Sequence, residues 1–369
     1  MSLCRAGKRL KTNLMQFKAI TIKDIAKALD MSTSTISRAL RGSHEISDQT
    51  KKLVQEYARG VNYRPNPIAL SLKERRTRSI GVIVSEIANT FFSQVINGIE
   101  SIAYSRGYHV IISQSHETYE REVTNLNYLS SRSVDGLLLS LSSATKDVSH
   151  IKALHDKGLP IVFYDRAAEE INTHKVIIDN FQGGYAATRH LIRSGYKKIA
   201  HITFSEQLTL TRERGKGYQH ALAESGIAYD PDYVKNCRHE QSVLLEVEES
   251  VRQLLELPCR PEAIFAASDR LTMGALMALK KAGIHIPQEM ALTGFTNSEI
   301  VDLLHPPLTA VKQPAFEMGQ LATELLISLI ESKRPVTRFE TRVLKPELTV
   351  RDSTPHCGPY QNTLYPKLT

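Results

Sequence analysis

The sequence predicts a small all-α helix-turn-helix head followed by a larger α/β body built on doubly wound parallel sheets. Three observations carry this. Residues 1–78 hold 17 Lys and Arg against 6 Asp and Glu, a net of +11, which leaves −3 for residues 79–369 of the whole-chain +8. Apolar residues between 20 and 60 recur at helical spacing in three short bursts. From Ser79 onward, short β-branched runs alternate with amphipathic stretches. A chain of 369 residues with 41% hydrophobic content is too long for one ordinary core. A basic front ahead of a near-neutral body implies that the front meets a polyanion.

In the head, Thr21 and Asp24 have the spacing of a capping box, and Ile22, Ile25, Ala26 and Leu29 form the apolar stripe of a first helix. Asp30-Met31 makes the break. Ser32 caps a second helix whose Ile36 and Leu40 face inward, leaving Thr33, Ser34, Ser37 and Arg38 outward. A third helix starts from Ser47, with Leu53, Val54 and Tyr57 as its buried stripe. A second helix that opens with small hydroxylated side chains and carries an outward Arg fits the major groove of DNA. Periodicity alone equally allows a three-helix bundle with a solvated polar face.

In the body, eight segments read as buried parallel strands: 80–85, 110–112, 134–140, 161–164, 176–178, 199–203, 263–267 and 291–295. Gly107, Gly158, Gly195, Gly226 and Gly283 each stand where a helix ends before the next strand, the position of a left-handed C-terminal cap. Sheets of this kind place ligands at the carboxyl ends of their strands.

Several classes drop out. Cys4, Cys237, Cys259 and Cys357 lie far apart, with neither zinc spacing nor disulfide density, so a reducing cytosol fits. No apolar run approaches a membrane span, and Met1 to Ala19 lacks the apolar core of a secretory signal. This tail is either an arm or an artefact of start choice, with Met15 as initiator. Catalytic signatures are missing: no G-x-S-x-G, G-x-x-x-x-G-K-[ST] or H-E-x-x-H, and no metal-like spacing among the 13 His. No enzyme activity, cofactor or metal is expected.

Thr21-Ile-Lys-Asp-Ile-Ala-Lys-Ala-Leu-Asp-Met-Ser-Thr-Ser-Thr-Ile-Ser-Arg-Ala-Leu-Arg-Gly42, continued by Tyr63-Arg-Pro-Asn-Pro-Ile-Ala-Leu-Ser-Leu-Lys73, resembles the DNA-binding head of the lactose/galactose repressor (LacI/GalR) family. The resemblance implies that Thr33 and Ser34 read bases and that Arg38 offers a fork to guanine O6 and N7. Thr21, Ser32, Thr35 and Ser37 are placed at phosphates or caps. It further implies a hinge helix starting at Asn66 or Pro67, with Leu72 wedged into the minor groove and Lys73 beside it; the plain alternative for Leu72 is a linker residue.

The body resembles the periplasmic-binding-protein-like part of the same family through Gly98-Ile-Glu, Arg132-Ser-Val-Asp-Gly-Leu and Asp179-Asn-Phe-Gln-Gly-Gly184. That implies two doubly wound parallel-sheet lobes. The expected organisation is a basic tail 1–19, the helix-turn-helix 20–65, a hinge helix and linker 66–78, a body 79–354 and a tail 355–369. Within the body, the N-terminal lobe takes about 79–178 plus 313–342, and the C-terminal lobe about 179–312 plus 343–354. Three crossovers make a hinge that closes on a solute.

Carried across residue by residue, the family's effector cleft implies Phe91, Phe92, Asp165, Arg166, Arg214, Ser268, Asp269 and Thr296. An aromatic face with Asp and Arg suits a sugar or sugar acid. Plain readings stand beside these: Asp269 as a helix cap and Phe92 as core. Thr296-Asn297 departs from the family, where many members have Asp, and Leu208 and Leu210 stand near positions that are polar in relatives. The pocket is therefore more apolar, or its ligand more anionic, balanced by Arg166, Arg212 and Arg214.

These readings converge on a cytoplasmic bacterial repressor, nucleoid-associated when bound, that binds double-stranded operator DNA as a homodimer, with a tetramer left open, and answers to a small-molecule effector. A periplasmic solute-binding protein would explain the body but not the basic head. A regulator answering to a phosphorylated partner protein remains compatible.

Overall fold

A computed structural model describes residues 20–63, 76–131, 134–204, 208–238 and 242–354. The chain divides into two compact units at Thr77/Arg78.

Among the described residues the first unit holds three α-helices, α1 (Ile22–Ala28), α2 (Thr33–Leu40) and α3 (Asp48–Gly60). Their starts follow the expected caps: Thr21 and Asp24 form a reciprocal capping box, Ser32 accepts from Thr35 N–H, and Ser47 accepts from Thr50 N–H. Asp30 turns the chain between α1 and α2 at φ 51°. Ile25, Ala26, Ile36, Ala39, Val54 and Ala58 make a small core. Leu40 faces inward as expected, half-buried against this core beside the fully buried Ala39. One expectation is corrected: Leu53 is 47% exposed, because the buried stripe of α3 runs through Val54 and Ala58.

Among the described residues the second unit contains twelve strands and eight α-helices: β1 (Ser79–Val84), α4 (Thr90–Ser105), β2 (His109–Gln114), α5 (Tyr119–Ser131), β3 (Gly136–Leu139), α6 (Ser149–Asp156), β4 (Ile161–Tyr164), β5 (Lys175–Ile178), α7 (Asn180–Arg193), β6 (Ile199–Phe204), α8 (Thr209–Glu224), β7 (Val234–Cys237), α9 (Val243–Glu256), β8 (Ala263–Ala266), α10 (Asp269–Lys281), β9 (Ala291–Phe295), β10 (Thr309–Lys312), α11 (Ala315–Glu331), β11 (Thr341–Leu344) and β12 (Glu347–Thr349). They form two six-stranded sheets, ordered β11-β5-β4-β3-β1-β2 and β12-β10-β9-β8-β6-β7. Every pairing is parallel except β10 with β12.

The central strands read as continuous apolar runs because both faces of each sheet are covered. Ile80, Val82 and Val84 point to a core shared with α4 and α11, while Ile83 points to one shared with α5 and α6. In the other lobe, Ile264 and Leu292 face α9 and α10, and Phe265 and Phe295 face α7 and α8. Contrary to expectation, β2 is not buried: it is the outer edge of its sheet, with His109 and Ile112 exposed and the rest half-buried.

The five helix-ending glycines all adopt positive φ, from 66° at Gly226 to 97° at Gly195. Gly98 has a different task. A Cβ there would lie 2.1 Å from Phe316 O, and one on Gly319 would lie 2.1 Å from Val95 O, so α4 and α11 cross backbone to backbone.

The chain passes between the sheets three times, after Ile178, after Lys312 and after Leu344. The last crossing falls two residues beyond the limit of 342 expected for the N-terminal lobe, because β11 stays paired with β5 as far as Leu344 opposite Ile178. Asp179 N–H donates to Leu344 O at 2.8 Å and ties two crossings together.

Candidate functional site

On the head, Thr33 and Ser34 at the start of α2 are exposed. The hydroxyls of Thr21 and Ser32 are occupied locally. Thr21 Oγ1 donates to Asp24 Oδ2 at 2.7 Å, and Ser32 Oγ accepts from Thr35 N–H at 3.1 Å and sits 2.7 Å from Ser34 Oγ and 2.8 Å from Thr35 Oγ1. Ser37 is half-buried and accepts from Arg41 Nη2 at 2.7 Å. Arg38 is half-exposed and pairs with Glu45, Nη1 to Oε2 at 2.8 Å. Thr33, Ser34 and Arg38 thus share one exposed helix surface, flanked by capping hydroxyls. Asn66, Leu72 and Lys73 lie outside the described residues.

On the body, the strand ends bring together a chain of charges. Asp165 follows β4 in the left-handed region, φ 60°, and is buried. Burial raises its carboxyl above the ordinary value, against the pull of Arg166 and Arg214. Arg166 Nη1 donates to Glu117 Oε2 at 2.6 Å and to Leu141 O at 3.3 Å, while its Nε lies 3.9 Å from Asp165 Oδ2. Burial alone would raise the Glu117 carboxyl, but the Arg166 charge and hydrogen bond outweigh it and hold the group below its usual value. Glu117 Oε2 also accepts from Ser143 N–H at 2.6 Å. Glu122, fully buried, fastens the same loop through Ser142 N–H at 2.7 Å and Thr145 Oγ1 at 2.9 Å, with His150 Nε2 at 3.0 Å.

A cavity of about 720 Å³ opens beside this network. Asp165, Arg166, Ser142 and Thr145 line it from the N-terminal lobe, and Leu208, Leu210 and Arg212 from the opposite one. Its size suits a small organic ligand.

Arg214 does not line this cavity, contrary to the expectation that it points into an open cleft. It is 3% exposed, donating from Nε to Asn180 Oδ1 at 2.8 Å and from Nη1 to Ala267 O at 2.6 Å, with its guanidinium carbon 3.7 Å from the Phe295 ring centre. Burial lowers its pKa to about 10, with Asp165 working the other way and Arg166 adding to the fall. Phe91 and Phe92 are buried against each other edge-on, ring centres 5.2 Å apart, within the α4 core. Ser268 is the cap of α10, accepting from Leu271 N–H, so the cap falls one residue before Asp269. Asp269 instead accepts from the Thr296 hydroxyl, and burial raises its carboxyl against that bond. The structure therefore brings Asp165 and Arg166 to the cavity. It leaves Phe91, Phe92, Arg214, Ser268, Asp269 and Thr296 in the closed seam between the lobes or in the cores behind it.

Asn297, noted in the sequence only as a departure from the family, completes the seam together with residues that sequence reasoning passed over. Asn297 Nδ2 donates to Gln94 Oε1 and to Gln313 O, each at 2.7 Å, and Gln313 N–H donates to Asn297 Oδ1 at 3.0 Å. Glu86 pairs with Arg270 across the same seam. Asn180 lay in the quoted Asp179-to-Gly184 motif, a signal available in the sequence, whereas Glu86 and Glu117 carry no local signature.

A basic three-helix head and a two-lobed α/β body with a charged cavity define a ligand-controlled DNA-binding regulator. The family pattern of bacterial regulatory proteins of the lacI family matches residues 21–66, and that of periplasmic binding protein-like domains matches residues 188–354. The ribose operon repressor of Haemophilus influenzae is 35% identical over 335 residues, covering 90% of this chain and 98% of that protein. The transcriptional repressor CytR of Escherichia coli is 33% identical, covering 92% and 97%. A solved complex of the regulator CelR with cellobiose matches with a TM-score of 0.66 at 29% identity, covering 90% and 99%. The lac repressor dimer bound to operator matches with a TM-score of 0.78 over 91% and 99%; at 24% identity it supports the fold. The chain belongs to the lacI family of bacterial regulatory proteins. It is a DNA-binding transcriptional repressor under allosteric control of an effector, and not an enzyme.

Proposed function

We propose that this repressor binds a pseudo-palindromic operator as a homodimer, reading bases with Thr33, Ser34 and Arg38, and takes a sugar or sugar acid between its lobes. The cavity of about 720 Å³ carries the effector reading, because it offers Asp165 and Arg166 to hydroxyl or carboxylate groups and Leu208 and Leu210 to a C–H face. Two related structures contain such ligands: the CelR complex holds cellobiose, and a LacI-family regulator of Enterococcus faecium, 28% identical with a TM-score of 0.66 over 75% of this chain and 98% of that one, holds ribose. Pairing is supported by exposed apolar side chains in both lobes, among them Tyr104 and Tyr128 in one, and Leu245, Met277 and Leu303 in the other. The hinge-helix roles of Asn66, Leu72 and Lys73 belong to the same proposal.

A thermal-shift screen of pentoses, hexoses, disaccharides and sugar acids on the full-length protein tests the ligand class. A stabilising sugar whose effect is lost in D165N supports it. Stabilisation by nucleosides alone would overturn it.

A further inference from the structure

Arg38 of the recognition helix α2 and Arg41 at its C-terminal cap are both held by their own head, and they are held differently. Arg41 folds back along the helix, giving Nε to Ser37 O at 3.0 Å and Nη2 to Ser37 Oγ at 2.7 Å. Arg38 reaches off the helix to a carboxylate seven residues on, Glu45, at 2.8 Å. Both partners are about half-exposed, 54% and 51%. Glu45 does not stand on a loose tail. Ser43 N–H donates to Arg38 O at 3.0 Å, Glu45 N–H donates to Ser43 Oγ at 3.4 Å, Ile46 N–H donates to Ser43 O at 3.3 Å, and Ile46 packs on the head core.

A carboxylate on this surface works against phosphate attraction, which is the main source of affinity for DNA. An exposed ion pair also adds little to stability. Its consequence lies in geometry. One bond to Nη1 takes one of five guanidinium donors, leaving the planar fork half-exposed with its long side chain already oriented, so less rotamer freedom is lost on reaching a guanine edge. We infer that Glu45 is a positioning residue for base reading, holding Arg38 in the orientation that selects a guanine. This rests on the proposed reading of Arg38 as a base contact.

Fluorescence-anisotropy titrations of full-length wild type, R38A and E45Q test it, on the duplex recovered by genomic selection and on a panel with each half-site base pair replaced singly. R38A is expected to lower discrimination about tenfold or more at one base pair per half-site. E45Q is expected to lower discrimination at that same base pair about two- to fivefold, while binding to unrelated duplexes tightens because a negative charge is gone. An equal loss for R38A on every duplex would make Arg38 a phosphate contact, and the base-reading proposal would fail together with the inference. Base-specific loss in R38A combined with a uniform gain in E45Q would leave Arg38 as a reader and overturn the role of Glu45 alone. Melting curves that coincide for all three proteins exclude unfolding of the head as the cause.

Discussion

Arg270, in the first turn of α10, donates to the Glu86 carboxylate just past β1, so an ion pair joins one lobe directly to the other. The Asn297–Gln94 bond runs across the same seam. Both contacts exist only while the lobes are together, and they bias the lobe equilibrium before any ligand arrives. E86Q is expected to weaken closure by about 1 kcal/mol or less, given the part-exposed pair, and effector affinity should fall up to about fivefold. Small-angle scattering of the ligand-free protein should show a larger radius of gyration. An unchanged radius and unchanged calorimetric affinity would remove the clasp role.

Arg214 is expected to behave as a structural side chain. R214A strands Asn180 Oδ1 and Ala267 O without their donor and empties the space over Phe295. Losing buried charge-assisted bonds of this kind costs about 2–4 kcal/mol, so the melting temperature of the ligand-free body should drop. A full-strength fold with lost effector response would instead return Arg214 to the pocket.

His201 lies between the rings of Tyr218 and Phe265, centres 4.9 and 4.8 Å away, with Nδ1 3.2 Å from Phe265 O. Burial pushes it down to about 4, the Phe265 hydrogen bond opposing and the Arg214 charge adding. Below pH 6.5 the unfolded chain takes up a proton that the folded chain refuses until about pH 4. The stabilisation is therefore complete above pH 6.5 and is lost as pH falls towards 4, by about 3 kcal/mol over that window. Urea titrations at stepped pH should show this slope, and H201F should flatten it. Equal slopes for the two proteins would refute the assignment.

Gly98 is expected to tolerate no side chain. In G98A the new methyl meets the Phe316 carbonyl, which is helix backbone and cannot rotate aside. Separating α4 from α11 should cost about 1–3 kcal/mol. Chemical denaturation measures it, and a neutral result would mean that the helices part without strain.

The head's three helices, their caps and the order of eight body strands were legible in the sequence because each depends on neighbours within a few residues. Thr21 with Asp24, Ser32 with Thr35, and the glycines after each helix are local chemistry. Most of the buried strands announced themselves because both of their faces are covered, but the buried β10 did not, being a short Thr309-Ala-Val-Lys312 run with only two strictly apolar residues. The edge strands β7, β11 and β12 did not: Val234-Lys-Asn-Cys237, Thr341-Arg-Val-Leu344 and Glu347-Leu-Thr349 bury little and carry polar residues, as strands at sheet edges do. At the site, Asp165 and Arg166 could be placed at a strand end from sequence, but their partners could not. Glu117 meets Arg166 from 49 residues away, Glu86 meets Arg270 from 184, and Gln94 meets Asn297 from 203. The order of strands within one sheet brings Glu117 to Arg166, and only the apposition of the two lobes through three crossings brings Glu86 to Arg270 and Gln94 to Asn297. Packing of α7, α8 and β8 within the second lobe turns Arg214 from a residue of the right type into one already satisfied by Asn180 and Ala267.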